Sequence, residues 1–376
     1  MRETGADVVI VGGGVIGCAL ARELAGRGAA VKVIEKTQPG SEASGAAAGL
    51  LAPQAEGIAR GPFFDLALES RRLYAAWTAA LEQESESGVG YRRAGILRCA
   101  LPGAGGEENG FEWQRRDGLA VEEMEAAGIA GLTGGSVSRD ICEAVFFPDE
   151  GVVDNRRLTR ALWIAAERRG VEFEIERTVR RFLIRGGRCA GVETDGGPIA
   201  AGQVVNAAGA WAGFDPDFPV PVEPVLGQIV EVESAVPGLS TVVESREVYV
   251  VPRGGSWLLG STVEHVGFEK RATAGAVARL VAAATRLLPA LEGAVFLRAW
   301  SGLRPGTPDG LPILGRGPIP GLFLATGHFR NGILLAPVTA LALADELTGS
   351  ASRDLTPFSI RRFADSPSRL ESRAPC

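Results

Sequence analysis

The stretch DVVIVGGGVIGCALARELAGRGAAVKVIE, residues 7–35, decides the fold. Residues 7–11 form a short, β-branched apolar run of the kind found in a strand buried on both faces. Gly12-Gly13-Gly14 then break the strand. From Val15 onward Ile16, Ala19, Leu20 and Leu24 recur at helical spacing, with Gly26 and Gly28 near the end of the pattern. A second β-branched run, 31–34, ends at Glu35. Strand, helix and strand within about thirty residues is one parallel crossover unit. The spacing Gly12-x-Gly14-x-x-Gly17 is by itself weak, because 51 glycines in 376 residues produce it about once by chance. Its setting carries the reading. Gly12 permits the tight turn, Gly14 lets a pyrophosphate approach the backbone, and Gly17 lets helix and strand pack closely. The helix N-terminus offers unpaired N–H groups, and Glu35 can accept hydrogen bonds from ribose hydroxyls. The alternative is a glycine-rich turn beside a surface glutamate.

The rest of the chain is compatible with an enzyme of ordinary composition. It is 46% hydrophobic and 22% charged, which excludes a mainly disordered chain. A net charge of −6 favours neither nucleic acid nor an anionic membrane as partner. The arginine doublets, such as Arg71-Arg72 and Arg180-Arg181, are scattered and make no single patch. Five cysteines, at 18, 99, 142, 189 and 376, are odd in number and far apart, without a CxxC pair. A metal site and a disulfide framework are therefore not expected, and a reducing compartment is. The N-terminus lacks a signal-peptide pattern, and the late apolar stretch 332–343 is too short to span a bilayer. A cytoplasmic protein is the expectation.

Further along, helices are expected over 65–84, 158–169 and 274–288, and a hairpin over 177–192 turning at Gly186-Gly187. Residues 101–110 read as a flexible loop. Residues 220–265 alternate as antiparallel strands, including 225–232, 248–251 and 257–260. Residues 322–347 read as strand, glycine-bearing turn and helix. Parallel units at both ends with antiparallel strands between them imply an α/β (α+β overall) fold. Its Rossmann-like cofactor-binding domain is expected over 1–84, 146–218 and 302–376. An antiparallel-sheet substrate domain is expected over 85–145 and 219–301.

Three further segments bear chemistry. The small residues of SEASGAAAGLLAP (41–53) would let the chain lie close to an extended dinucleotide, or simply start a helix. In GLRPGTPDGLPILG (302–315), Gly302 and Gly306 are expected to loosen the backbone around Arg304 and the prolines to stiffen the following loop. A guanidinium held there grips a carboxylate through two parallel hydrogen bonds, unless it is a structural arginine. In ATGHFRNGILLAP (325–337) the glycines precede a helix whose first N–H groups suit a site of accumulating negative charge. Arg330 is a second candidate for substrate or cofactor contact; His328 is assigned no acid–base duty. Tyr249, in a strand heading into a turn, reads on its surroundings as a core aromatic.

The N-terminal fingerprint with SGAAAG (44–49), NAAGAW (206–211) and the two C-terminal segments resembles the D-amino-acid-oxidase-type flavoproteins. Within them, the chain is most similar to the glycine oxidases of thiamine biosynthesis, in order along nearly its whole length. The resemblance implies noncovalent FAD: related sarcosine oxidases attach flavin to a cysteine, and Gly302 stands at that position here. It implies FAD contacts from Gly12, Gly14, Val15, Ile16, Gly17, Glu35 and Lys36. It adds Ser44, Ala47, Ala48, Gly49 and Leu51, then Val179 beside the adenine, and Ala208, Gly209 and Trp211. Gly302, Arg304, Gly327, His328, Arg330, Asn331, Gly332, Ile333 and Leu334 complete the set. Tyr249, Arg304 and Arg330 are the implied catalytic residues, and Val263 the pocket wall, smaller than its usual counterpart. Glu247, Glu264 and His265 are further places where specificity can differ.

The implied activity is FAD-dependent oxidative deamination of glycine, sarcosine or a small D-amino acid, with dioxygen as acceptor and hydrogen peroxide as product. The imine would supply thiamine thiazole synthesis. The alternative is a dehydrogenase of the same fold passing electrons to a quinone or carrier. The resemblance also allows a homo-oligomer, similar enzymes often being tetramers.

Overall fold

The computed structural model describes residues 6–102, 110–234, 236, 239–350 and 353–364. Most of the loop expected at 101–110, and Cys376, lie outside the described residues. The chain enters through β1 (Ala6–Val11), α1 (Val15–Gly26) and β2 (Val31–Ile34). Helices α2 (Pro62–Ser85) and α3 (Asn155–Arg168) follow, then β3 (Glu172–Glu174) and β4 (Gly197–Asn206). Next come β5 (Glu223–Glu233), β6 (Tyr249–Arg253), β7 (Ser256–Gly260) and β8 (Val295–Gly306). The described chain closes with β9 (Ile313–Arg316), β10 (Leu322–Thr326) and α4 (Gly332–Leu347).

These strands form two sheets. The first runs β9-β10-β4-β1-β2-β3 and is parallel except for β9, with the expected hairpin (179–185 and 188–194) attached to β4. The central position of β1 explains its apolar run: Val9 and Ile10 are fully buried between layers. The second sheet contains β8-β5-β7-β6, extended by the strands 242–244, 96–100, 143–147 and 122–123. It is antiparallel except where 242–244 runs parallel to 96–100. Strand β8 passes without a break through position 302, where the sequence placed a domain boundary, so residues 302–306 belong to the second sheet.

The core of the first layer is built where α1, α2, α3 and α4 bury Leu20, Leu24, Leu158, Leu162 and Val338 together. Helix α4 contains Pro337, which cannot donate to the carbonyl of Ile333 four residues earlier. The fully buried Tyr74 of α2 donates its hydroxyl to that carbonyl instead. Ser70, one turn earlier on α2, donates to Leu334 O at 2.6 Å. These two bonds fix the first turn of α4, the end that faces the candidate site. Tyr74→Phe is expected to lower stability by about 1–3 kcal/mol, the cost of leaving a buried carbonyl without its partner. Denaturant unfolding of the two proteins measures it; equal midpoints would show that the bond contributes nothing.

Candidate active site

One cavity collects the β1–α1 turn, the segment 42–50, the ends of β6 and β8, and the N-terminus of α4. At the β1–α1 turn Gly12 has φ +107°, and a Cβ there would lie 2.5 Å from the carbonyl oxygen of Ala207. A Cβ on Gly17 would lie 2.0 Å from Gly12 O, so helix and turn touch backbone to backbone. Gly14 caps α1 in an extended conformation, and a Cβ on it would approach Ser44 Oγ to 3.2 Å. The Ser44 hydroxyl accepts from Val15 N–H at 2.9 Å, which ties the small-residue segment to the helix start.

Glu35 is buried at the end of β2. Its carboxylate accepts from Gly13 N–H at 2.7 Å, Thr37 N–H at 2.9 Å and the Thr37 hydroxyl at 3.1 Å. Three protein donors therefore orient a carboxylate that is itself part of the cavity lining. Lys36 lies over the Trp211 ring, 3.1 Å from its centroid, and burial pulls its ammonium below the ordinary value while Glu42 opposes. Val179, Ala208 and Gly209 line the same end.

The opposite end is polar and cationic. Arg304 is half-buried on β8, and its guanidinium donates to Thr262 O at 3.1 Å and Ser261 Oγ at 2.7 Å. Both partners are neutral oxygens. Burial pulls this guanidinium below its ordinary value, with Tyr249 opposing and Arg330 reinforcing. Arg330 stands 3.5 Å from Glu56 through Nε and Oε1, and Glu56 raises its pKa against the effect of burial. Tyr249 and Glu56 both line the cavity beside these arginines. His328 is buried, with Nε2 at 3.2 Å from the Thr339 hydroxyl; burial pulls its pKa down to about 3, so the ring is neutral at ordinary pH. Gly332 and Ile333 contribute the N-terminal turn of α4, whose N–H groups have no acceptor within the helix.

Two neighbours of this end are glycines that the sequence reading did not single out. A Cβ on Gly227 of β5 would fall 2.2 Å from both terminal nitrogens of Arg304, and one on Gly260 of β7 would fall 2.5 Å from the Tyr249 hydroxyl. Gly227 pairs with Gly302, so it is the diagonal neighbour of Arg304 across the two strands. Gly227→Ala is expected to push the guanidinium aside and lower kcat/KM for the preferred amine by about 10²-fold, as a misplacement near 1 Å does. Steady-state kinetics at equal flavin content checks this, and unchanged kinetics would remove Gly227 from the site.

The geometry corrects one expectation and leaves several expected residues outside the cavity lining. Gly302 and Gly306 do not loosen a loop; they lie in β8, where a Cβ on Gly302 would meet Ala46 Cβ at 2.4 Å. Val263 is 48% exposed and does not line the cavity. Strand β7 ends at Gly260 and Glu264 bridges to Leu226, which breaks the alternation that would hold 263 on the face of Ser261. Ser261 lines the wall instead. Leu51 and Leu334 are fully buried in apolar clusters, and Gly17 lies under the turn. Gly327 and Asn331 flank the lining residues, and Asn331 reaches Glu56 Oε2 at 3.4 Å. Glu247, Glu264 and His265 do not line the cavity either. Every other residue expected to contact FAD lines the cavity.

The arrangement fits FAD: a backbone cradle at a helix N-terminus, an oriented carboxylate for a ribose, a small-residue wall and a second helix N-terminus at the far end. Among the described residues no three His, Cys, Asp or Glu side chains gather to hold a metal, and no helix is long and apolar enough to cross a membrane.

Comparison with known proteins agrees. Residues 7–346 match the family model described as FAD dependent oxidoreductase. The bifunctional protein ThiO/ThiG of Nostoc sp. is 41% identical over 355 residues, covering 93% of this chain and 54% of that protein. The chain thus spans about half the length of such relatives. Glycine oxidase of Geobacillus kaustophilus is 38% identical over 366 residues, 95% of this chain and 97% of its own length. The crystal structure of glycine oxidase from Geobacillus kaustophilus superposes with a TM-score of 0.89 at 36% identity, covering 95% of this chain and 98% of that one. On the match over residues 7–346 and a site built for the cofactor, the chain belongs to the family of FAD-dependent oxidoreductases.

Proposed function

We propose that the chain oxidises glycine, or another small amino acid or secondary amine such as sarcosine or a D-amino acid, to the imine and hence the 2-oxo acid. The observation that carries this reading is Arg304, a guanidinium lining the flavin cavity whose hydrogen bonds among the described residues go to neutral oxygens. Such a group suits a small carboxylate held by parallel charge-assisted bonds. The similarity to glycine oxidases supports glycine as the amine, and the same reading sends its imine to thiamine thiazole synthesis. A homo-oligomer belongs to the same reading.

When bound, FAD supplies the two-electron acceptor for the hydride of the amine carbon and the route of those electrons to dioxygen, giving hydrogen peroxide. The chain supplies the rest. Gly12, Gly14, Glu35 and the 42–49 segment would hold the dinucleotide, and the α4 N-terminus would face its flavin end. Gly302, at the position where related sarcosine oxidases carry their flavin-linked cysteine, lines the cavity and offers no side chain for such a link. Arg304 and Tyr249 fix the carboxylate, and with it the direction of the Cα–H bond. Arg304 and Arg330 against Glu56 leave one net positive charge. That charge favours the amino acid with its carboxylate ionised and its nitrogen neutral, so the ammonium proton is lost without a strong protein base. His328, held near pKa 3, is a poor proton acceptor.

The test mixes yellow holoprotein anaerobically with glycine, sarcosine, D-alanine and D-proline. Loss of visible flavin absorbance, then one peroxide per turnover in air, is the expected result. No bleaching by any amine overturns the reading; bleaching without peroxide moves the acceptor to a quinone or carrier protein.

A further inference from the structure

Glu56 is the acidic side chain of the pocket's polar end, and the fold spends several bonds on its placement. It lies in the turn 53–57, whose Gln54 is fully buried. Gln54 N–H donates to the buried Glu150 at 3.1 Å, and Arg71 donates to the same Glu150 oxygen at 2.7 Å and to Gln54 Oε1 at 2.5 Å. The Gln54 amide donates to Gln114 Oε1 at 3.1 Å, and Arg98 donates to Ala55 O. The turn is therefore rigid, and the Glu56 side chain is only 15% exposed. It is aimed at the α4 end: Oε1 lies 3.5 Å from Arg330 Nε and Oε2 3.4 Å from Asn331 Nδ2.

The two pocket arginines are thus unequal. Arg330 already has a carboxylate of the protein, whereas Arg304 bonds to neutral oxygens. A substrate with one carboxylate neutralises the site through Arg304. A second anionic group on the same substrate would meet Arg330 with Glu56 beside it, and two carboxylates close together in a desolvated site repel strongly.

We propose that Glu56 restricts the enzyme to substrates with one anionic group, by occupying Arg330 and repelling a second carboxylate. The proposal rests on the reading of Arg304 as the carboxylate anchor, and it assigns specificity, not catalysis, to Glu56. Its chemical consequence is that amines with two carboxylates are excluded although Arg330 would otherwise suit them.

The test uses two ligands that cannot be oxidised at nitrogen: methoxyacetate, shaped like sarcosine, and diglycolate, the same ether with a second carboxylate. Dissociation constants for the holoprotein are read from the perturbed visible spectrum of the flavin. In Glu56→Gln the ratio Kd(diglycolate)/Kd(methoxyacetate) is expected to fall tenfold or more. In Glu56→Asp it stays within threefold of the parent. Adding Arg330→Gln to Glu56→Gln abolishes the gain. A ratio within threefold of the parent in Glu56→Gln with full flavin content overturns the proposal, and so does a gain that survives loss of Arg330. Because binding is read without turnover, failure of every amine in the bleaching panel would overturn the proposed substrate and leave this result standing on its own.

Discussion

Arg304→Ala is expected to lower kcat/KM for the preferred amine roughly 30- to 4,000-fold, the range for removing one partner of a buried charge pair worth about 2–5 kcal/mol. Two features place the effect on substrate and not on the fold. The guanidinium's protein partners, Thr262 O and Ser261 Oγ, are neutral, so its loss strands no buried carboxylate of the protein. Its charge is also the one that Arg330 cannot replace, because Glu56 stands beside Arg330. Arg304→Lys should recover part of the loss, since it keeps the charge and gives up the two parallel bonds. Steady-state kinetics with anaerobic half-reactions, at flavin content checked by absorbance, provide the measurement. A loss below tenfold in Arg304→Ala would mean that the carboxylate is held elsewhere.

Both ends of this site were legible in the sequence to different depths, and the difference is physical. The β1–α1 turn could be read because every part of it is local: strand, glycines, helix and Glu35 lie within thirty residues. Arg304 and the α4 start could be read because they sit in unusual glycine- and proline-bearing segments. Glu56 could not, because what gives it meaning is Arg330, and a pairing across so long a sequence separation leaves no periodic trace. Gly227 was hidden for another reason. Within an apolar strand a glycine reads as a weak point or a bulge, and only the cross-strand register shows it to be the floor beneath a guanidinium. Val263 entered only through the resemblance, and β7 stops at Gly260, so no strand alternation assigns its side chain to a face.

Gly12→Ala is expected to lose most of its flavin and to lower stability by roughly 2–6 kcal/mol, combining about 1–3 for the strained backbone with about 1–3 for overpacking. The backbone term follows from φ +107°, which an L side chain rarely adopts. The packing term follows from the 2.5 Å approach to Ala207 O, a backbone atom that cannot rotate away. Ala207 is itself held, its N–H donating to Val11 O at 2.9 Å, while Gly12 N–H donates to Ile34 O at 2.8 Å. The added methyl therefore strains the join of β1, β2 and β4, the place where the dinucleotide is gripped, and lost flavin removes its own stabilisation of the folded state. Gly28→Ala separates the two terms. Gly28 has φ +87°, yet a Cβ there meets nothing within 4 Å, so only the backbone term applies. Flavin-to-protein absorbance ratios and thermal melts of the two variants make the comparison. If Gly12 served only as a flexible hinge, both variants would bind flavin and melt alike; if it is the tight turn that shapes the backbone around the dinucleotide, only Gly12→Ala should come off the column colourless.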